Sequence, residues 1–246
     1  MAKSAFARKF RQNGKRADER LQAYLADPEN EKNIHDVRTS VRRLDSTFSL
    51  LPKNERTRYR GRIEKYREFL RASSRARDCD VIAGRVSTLG DLDTTDLQRK
   101  KKDELARATL LARPLKRMQP MRPVQDDMRI AKVARRLIGR IGKELPAVLS
   151  DSGKVKELHR LRKDFRKLRY ILETVPAGDR KKYMKKAARA AGRDLELKEL
   201  QALLGLIHDS DVTIEYLHGR PEAGQILKKE IRSREQLYQK FVRHMK

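Results

Sequence analysis

Tryptophan, cysteine pairs and long apolar runs are all missing from this chain of 246 residues. Its one cysteine, Cys79, excludes an internal disulfide and a multi-cysteine zinc site, and it fits a reducing cytoplasm. No apolar run approaches the ~18 residues that a membrane span needs. The first sixteen residues are basic and contain no apolar signal core, so we expect neither a membrane partner nor export.

Acidic residues are few relative to basic ones. The chain has 61 Lys and Arg against 34 Asp and Glu, which gives a formal net charge of +27 at pH 7. That excess is larger than solubility requires and predicts a polyanionic partner, such as nucleic acid, an acidic membrane or a phosphate polymer. A composition of 38% hydrophobic and 39% charged residues would be compatible with disorder. The regular spacing of the apolar residues argues against a disordered chain.

Apolar spacing of three and four residues predicts helices along almost the whole sequence. One stripe covers residues 34–51 and is followed by Pro52, and a second covers residues 158–175 and is followed by Pro176. Further helical patterns cover about 15–26, 55–73, 78–89, 96–112, 126–149, 180–190, 195–207, 209–218 and 222–244. Strand-like alternation is missing, so an all-α fold is predicted.

Three prolines mark a break in composition, the segment RPLKRMQPMRP at residues 113–123. Proline interrupts helices because it lacks a backbone N–H and fixes φ. We therefore predict a linker there, between a first half at about 15–112 and a second half at about 126–246. The two halves together are expected to form one domain over residues 1–246.

The two apolar stripes lie in a repeated motif. IHDVRTSVRR at residues 34–43 and LHRLRKDFRK at residues 158–167 are 124 positions apart and carry a histidine at the same place. A second pair, REFLRASSRARDCDV at 67–81 and KELQALLGLIHDSDV at 198–212, matches at a shift of 131 residues and shares a D-x-D-V motif. Self-similarity at this scale predicts a duplicated helical unit, packed about a pseudo-two-fold axis.

Basic side chains flank the apolar stripe at corresponding positions in the two halves. At about 100° per residue, members of each row share one helix face. The rows are His35, Arg38 and Arg42 in the first half, and His159, Arg162, Arg166 and Arg169 in the second. Like charges at i,i+4 destabilise a helix by a few tenths of a kcal/mol per pair. Their recurrence beside a buried seam favours an anion-binding groove over basic stems that merely cover the core.

Four segments, IHDVRTSVRRLDSTFSLL, SSRARDCDV, LHRLRKDFRKLRYILE and LKELQALLGLIHDSDV, resemble the CHAD family, the conserved histidine α-helical domain. The resemblance covers roughly residues 15–220. It implies two four-helix bundles, related by pseudo-two-fold symmetry, that enclose a basic central cleft or pore. It also implies binding of inorganic polyphosphate, with no catalysis, cofactor or metal. A stand-alone CHAD protein of the cytoplasm is expected, with polyphosphate granules as one location.

The resemblance assigns phosphate-facing positions in both halves. They are His35, Arg38, Arg42, Arg43, Arg67 and Arg77 in the first half, and His159, Arg162, Arg166, Lys167, Arg169 and Lys198 in the second. Two residues depart from the family pattern: Asp45 stands in place of a usual arginine, which weakens the first site, and His208 in place of a common asparagine. The D-x-D-V aspartates are expected to cap helices or orient arginines: Asp78, Asp80, Asp209 and Asp211.

Arginine and histidine suit a ligand that offers only oxyanions. The planar fork of arginine bonds phosphate oxygens bidentately, and lysine supplies a point charge. If a histidine contact is charged, affinity should weaken as pH rises past the ordinary histidine pKa near 6.5.

Two other functions stay open on the sequence alone. Non-specific nucleic-acid binding follows from the net charge, although few aromatics accompany the basic motifs and no RRM, KH or zinc pattern occurs. A metal-dependent phosphohydrolase would use the HD pairs at 35–36 and 208–209. Against this, Arg160 follows His159, and surrounding arginines raise the cost of binding a divalent cation. No enzymatic activity is therefore expected.

Overall fold

A computed structural model describes residues 5–116, 118, 121, 129–175, 177–192 and 195–245, and this part of the chain consists of helices joined by short turns and loops, with no strand. The helices are α1 (Ala5–Ala26), α2 (Glu31–Phe48), α3 (Lys53–Arg58), α4 (Arg60–Leu89), α5 (Thr95–Lys116), α6 (Ile130–Ser150), α7 (Val155–Leu172), α8 (Ala177–Ala191), α9 (Leu197–Leu217) and α10 (Gly224–Met245). A short 3₁₀ turn, Pro221–Ala223, leads into α10. The all-α prediction is confirmed. Among the described helices none is long and apolar enough to cross a bilayer.

Both predicted apolar stripes are buried helix faces. Helix α2 begins after Asn30, whose side chain accepts hydrogen bonds from the backbone N–H groups of Lys32 and Asn33. The buried residues of its stripe are Ile34, Val37, Val41, Leu44 and Phe48, and those of α7 are Leu158, Leu161, Phe165, Leu168 and Leu172. Pro176, the predicted end of the second stripe, lies outside the described residues.

Two long helices replace four predicted ones. Helix α4 includes the predicted break between 73 and 78, and α9 includes the one between 207 and 209, so both predicted breaks are wrong. Within α4, Ser73 donates to the carbonyl oxygen of Phe69 at 2.9 Å, and the helix continues because the polar side chain is satisfied there. The D-x-D-V aspartates therefore lie inside helices, and their predicted capping role is wrong for Asp78, Asp80, Asp209 and Asp211.

The ends of other helices also shift from their predicted positions. Helix α1 begins ten residues before the predicted start at 15 and buries Phe6 and Phe10, whose ring centroids are 5.9 Å apart. Helix α5 continues through Pro114 to Lys116, into the predicted linker. Pro120 and Pro123 of that linker, and the first residues of the helix predicted at 126–149, lie outside the described residues.

The described residues divide into two compact units. Unit 1 takes those of Met1–Arg77, Arg99–Val133 and Tyr170–Pro176, and unit 2 takes those of Asp78–Gln98, Ala134–Arg169 and Ala177–Lys246. All of α2 therefore belongs to unit 1, whereas residues 155–169 of α7 and all of α9 and α10 belong to unit 2.

Each unit has its own packed interior. In unit 1 the buried rings of Tyr24 and Phe69 meet edge to face at 5.3 Å, and the Tyr24 hydroxyl hydrogen-bonds with Thr109 at 3.2 Å. Unit 2 has a core cluster made of Cys79, Ile82, Val86, Leu97, Leu217, Ala223 and Ile226. Burying a large apolar side chain such as Ile82 or Leu217 contributes about 1.5–3 kcal/mol to the stability of its unit.

Candidate anion-binding site

The predicted cations of α2 differ in burial although they share one helix face. Arg38 is buried, and its Nη2 donates to the hydroxyl of Ser74 on α4 at 3.2 Å. Arg42 is half-buried, whereas His35 is exposed and makes no hydrogen bond or ion pair within the described part of the chain. Arg38 is therefore held by α4, whereas no described side chain holds His35.

Arg43 links the end of α2 to the end of α7 within unit 1. Its Nε lies 3.3 Å from Glu173 Oε2, and its guanidinium carbon lies 5.4 Å from the centroid of the Tyr170 ring. A guanidinium over a tyrosine ring contributes about 0.5–1 kcal/mol at an exposed position. Arg43 is thus partly neutralised and fixed in orientation by these two residues.

Arg67, predicted to face phosphate, is bound by two carboxylates. Its Nε donates to Asp45 Oδ1 at 2.9 Å, and its Nη1 donates to Glu64 Oε1 at 2.6 Å. Burial acts to lower the pKa of Arg67, but the charges and hydrogen bonds of Asp45 and Glu64 outweigh it and raise that pKa. Asp45, the departure from the family pattern, therefore places a negative charge directly on a predicted phosphate-facing arginine.

In unit 2, α7 positions His159 against two side chains of α9. His159 Nε2 lies 3.1 Å from Asp211 Oδ2 and 3.0 Å from His208 Nδ1. The two imidazole rings meet edge to face, with centroids 4.4 Å apart. An ionised carboxylate can only accept a hydrogen bond. We therefore assign a proton to Nε2 of His159, which donates to Asp211 and, as a second acceptor, to His208 Nδ1. Of the two ring nitrogens of His159, Nδ1 is the one that takes no part in these two contacts.

Asp211 is held from the other side by α10. Arg234 Nε donates to Asp211 Oδ1 at 3.0 Å, and both side chains are only 9% exposed. Burial acts to raise the pKa of Asp211, but the hydrogen bond from His159 and the charge and hydrogen bond of Arg234 outweigh it and hold the pKa below its ordinary value. Asp211 therefore stays ionised and orients an arginine, so the second role predicted for these aspartates is confirmed for Asp211.

The remaining predicted residues of the second half follow the same helix. Arg162, Arg166, Lys167 and Arg169 are half-buried on α7 and contact neighbouring groups, and Lys198 is exposed in the first turn of α9. Arg162 lies close enough to His208 to lower the pKa of that imidazole. We call the resulting group the His159 cluster: His159, Arg162, His208, Asp211 and Arg234. Arg77 is half-buried in α4.

Acid should destabilise the fold through His208. Burial first, then the charges of Arg162 and His159, lower the pKa of His208 to about 3. Between pH 6.5 and 3 the unfolded chain therefore binds a proton that the folded chain does not, so stability falls as pH falls through this window. We expect the free energy of unfolding to drop by about 1–2 kcal/mol between pH 7 and pH 5, and His208→Asn to reduce this loss.

Urea unfolding at pH 7 and pH 5 measures this loss. His35→Asn is the matched control, because it removes an exposed imidazole and should leave the wild-type loss unchanged. Equal losses in the wild type and in His208→Asn would contradict the expectation.

Two members of the His159 cluster were found through the structure and not through the basic motifs. Arg234 was missed, and the sequence carries one signal for it in the α10 stripe of Ile226, Glu230, Arg234 and Tyr238. Charged residues occupy two buried positions of that four-residue repeat, where apolar side chains are the norm. His208 was noted as a departure, but its contact with His159 could not be read from positions 49 residues apart.

A cavity of about 280 Å³ lies beside the His159 cluster and is lined by Val155, His159, Asp211, Val212, Ile214, Glu215 and His218. Its two carboxylates make it a poor place for an anion. Within the described residues, no group of three or more His, Cys, Asp or Glu side chains could hold a metal ion. Asp36 of the first HD pair is bound by Arg20 at 3.0 Å, and His208 of the second is packed on His159.

A comparison with protein-family models matches the CHAD domain to residues 8–218. A search of curated proteins finds no match. The family match begins in α1 and includes all of α9, and it ends before α10, the helix that supplies Arg234.

Proposed function

We propose that this chain, which belongs to the CHAD domain family because the family model matches residues 8–218, binds inorganic polyphosphate without catalysis. The family is known for polyphosphate binding. The observation that carries the proposal is the row of cations on α7, which runs from His159 to Arg169 beside a fully buried apolar stripe. A packed helix presents these cations in fixed order, which a solvated basic tail would not do.

The spacing of the α7 cations suits a linear polyanion. Arg162 and Arg166 are four residues apart, about one helical turn or 6 Å along the axis, and Arg169 follows about 4.5 Å later. Each guanidinium can hold phosphate oxygens bidentately, and Lys167 adds a point charge. The proposal assigns direct contacts to these residues and to Arg42 and Arg38 of α2.

The repeated motif extends the proposal to the whole chain. We propose that α2 and α7 each bind the polymer through the same histidine and arginine motif, one in each half of the sequence. This proposal rests on the repeat of that motif. The two motifs would not bind equally, because Arg43 of the first half is paired with one carboxylate and Arg67 with two.

Competition at about 0.3 M salt tests the proposal. Loose binding through counterion release falls steeply with salt, whereas a site built of oriented arginines loses less. Long-chain polyphosphate should displace single- and double-stranded DNA of equal charge, and no phosphate should be released with or without divalent metal. Equal displacement by all three polymers would favour the non-specific nucleic-acid binder. Phosphate release that a chelator abolishes would favour the phosphohydrolase.

Removing the negative charge of Asp45 should strengthen binding. Asp45→Asn frees Arg67 from one of its two carboxylates, and such exposed pairs are worth about 0.2–1 kcal/mol, so polyphosphate affinity should rise about two- to fivefold. Asp91→Asn, at an exposed aspartate, changes the net charge equally and is the control. The same gain in both variants, measured by fluorescence anisotropy, would mean that net charge alone is responsible.

A further inference from the structure

We infer that Arg234 of α10, outside the family match, sets the pH range over which His159 can bind phosphate. The inference rests on the proposed function, because it concerns the same site. Arg234 would position Asp211 and alter the protonation of His159 through it, without contacting the ligand itself.

The proton on His159 determines which ring nitrogen can bind phosphate. Nε2 is committed to Asp211, so a phosphate oxygen has to be bound by Nδ1. In the neutral ring with a proton on Nε2, Nδ1 carries a lone pair, which repels an oxyanion. Only the imidazolium has a proton on both nitrogens. His159 therefore acts as a donor to phosphate when it is charged, and its contribution disappears as pH rises.

Asp211 shares its negative charge between two neighbours. Its Oδ2 faces His159 at 3.1 Å, and its Oδ1 accepts from Arg234 at 3.0 Å. Because both carboxylate neighbours are cationic when His159 is protonated, Arg234 offsets part of the attraction that Asp211 exerts on the imidazolium. Removing the charge of Arg234 should stabilise the imidazolium and extend binding to higher pH. Losing the charge of Arg234 would thus widen the pH range over which the anion binds.

Arg234 is held rigidly on α10. Arg234 is buried, and its guanidinium carbon lies 5.8 Å from the Tyr238 ring. The Tyr238 hydroxyl donates to the backbone carbonyl oxygen of Val148 on α6 at 3.0 Å. Among the described residues, other titratable or charged groups near His159 or its neighbour His208 include Arg162 of α7, Asp209 and Glu215 of α9, and His218. A substitution of Arg234 alone changes none of these side chains.

The test compares Arg234→Gln with the wild type by two measurements. NMR of the imidazole resonances of ligand-free protein gives the protonation midpoint of His159, and polyphosphate affinity from pH 5.5 to 8.5 gives the binding midpoint. We expect both midpoints to rise by up to about one pH unit, because Arg234 acts on His159 through Asp211, whereas a charge in direct contact shifts a titration by about 1–3 units. Arg234→Lys, which keeps the charge, should stay close to the wild type, and Arg232→Gln, at an exposed position of α10, should not move either midpoint.

A purely structural part for Arg234 would lower affinity at all pH values and leave the midpoints in place, which would overturn the inference. If Arg234→Gln does not fold, the wild type decides: nitrogen chemical shifts that put the proton of neutral His159 on Nδ1 would overturn it, and a proton on Nε2 would support it. The NMR midpoint needs no ligand. Failure of the wild type to bind polyphosphate would therefore count against the proposed function alone.

Discussion

Replacing Arg162 and Arg166 together by glutamine should lower polyphosphate affinity about 100-fold at near-physiological salt. Hydrogen bonds to charged groups are worth about 1.5–3 kcal/mol each, and losing two of them amounts to about 3 kcal/mol or more, which is a hundredfold or more in affinity. The two residues lie one turn apart on α7, whose apolar stripe is fully buried, so the backbone that presents them should stay in place. Isothermal titration calorimetry at about 0.15 M salt measures the loss.

A matched control separates the site from the net charge. Arg99 and Arg136 are exposed on α5 and α6, and Arg99→Gln/Arg136→Gln removes the same two charges. We expect this control to weaken binding no more than about threefold, the scale of a surface electrostatic effect. Arg162 and Arg166 also contact protein groups, so urea unfolding of the double variant has to accompany the titration. A control that loses as much affinity as the α7 variant would mean that binding follows net charge.

Helix content and the two buried stripes could be predicted because they depend on local periodicity. Apolar residues recur every three or four positions in residues 34–51 and 158–175, which is the period of an α-helix, and that pattern alone determines which face is buried. The continuity of α4 and α9 could not be predicted in the same way. Ser73 lies at the predicted break in α4 and donates to the carbonyl oxygen of Phe69 four residues earlier, and His208 lies at the predicted break in α9 and packs on His159, 49 residues away.

The basic positions of the candidate site could be predicted, but the partners of those residues could not. Glu64 is three residues from Arg67 and within reach of a local rule, whereas Asp45 is 22 residues away and meets Arg67 only because α2 packs on α4. Arg43 likewise contacts Glu173, a residue far from it in the sequence. A run of arginines therefore predicts a charged face, and tertiary packing decides how much of that charge remains for a ligand.

The ion pair between Arg85 of α4 and Glu230 of α10 contains a fully buried carboxylate, and Arg85→Met should destabilise the protein by about 3–5 kcal/mol. Arg85 Nε donates to Glu230 Oε1 at 2.7 Å, and its Nη2 donates to the hydroxyl of Ser210 at 2.8 Å. The Glu230 side chain is fully buried, and its Oε2 has no hydrogen-bond partner among the described residues. Removing Arg85 therefore leaves a buried carboxylate without its compensating charge.

The double variant Arg85→Met/Glu230→Met should recover most of that loss, because apolar residues of similar volume often replace a buried ion pair at little cost. Lys15→Met is the control: it breaks a pair with Glu19 at 3.6 Å in which the side chains are 81% and 57% exposed, and it should cost less than about 1 kcal/mol. Ser210 lies between His208 and Asp211 in α9, so the single variant should also weaken polyphosphate binding, and the double variant should restore it only in part. Urea unfolding of the single variant, the double variant and the control measures the changes in stability. A double variant no more stable than Arg85→Met would mean that the buried charge of Glu230 is not what Arg85 compensates.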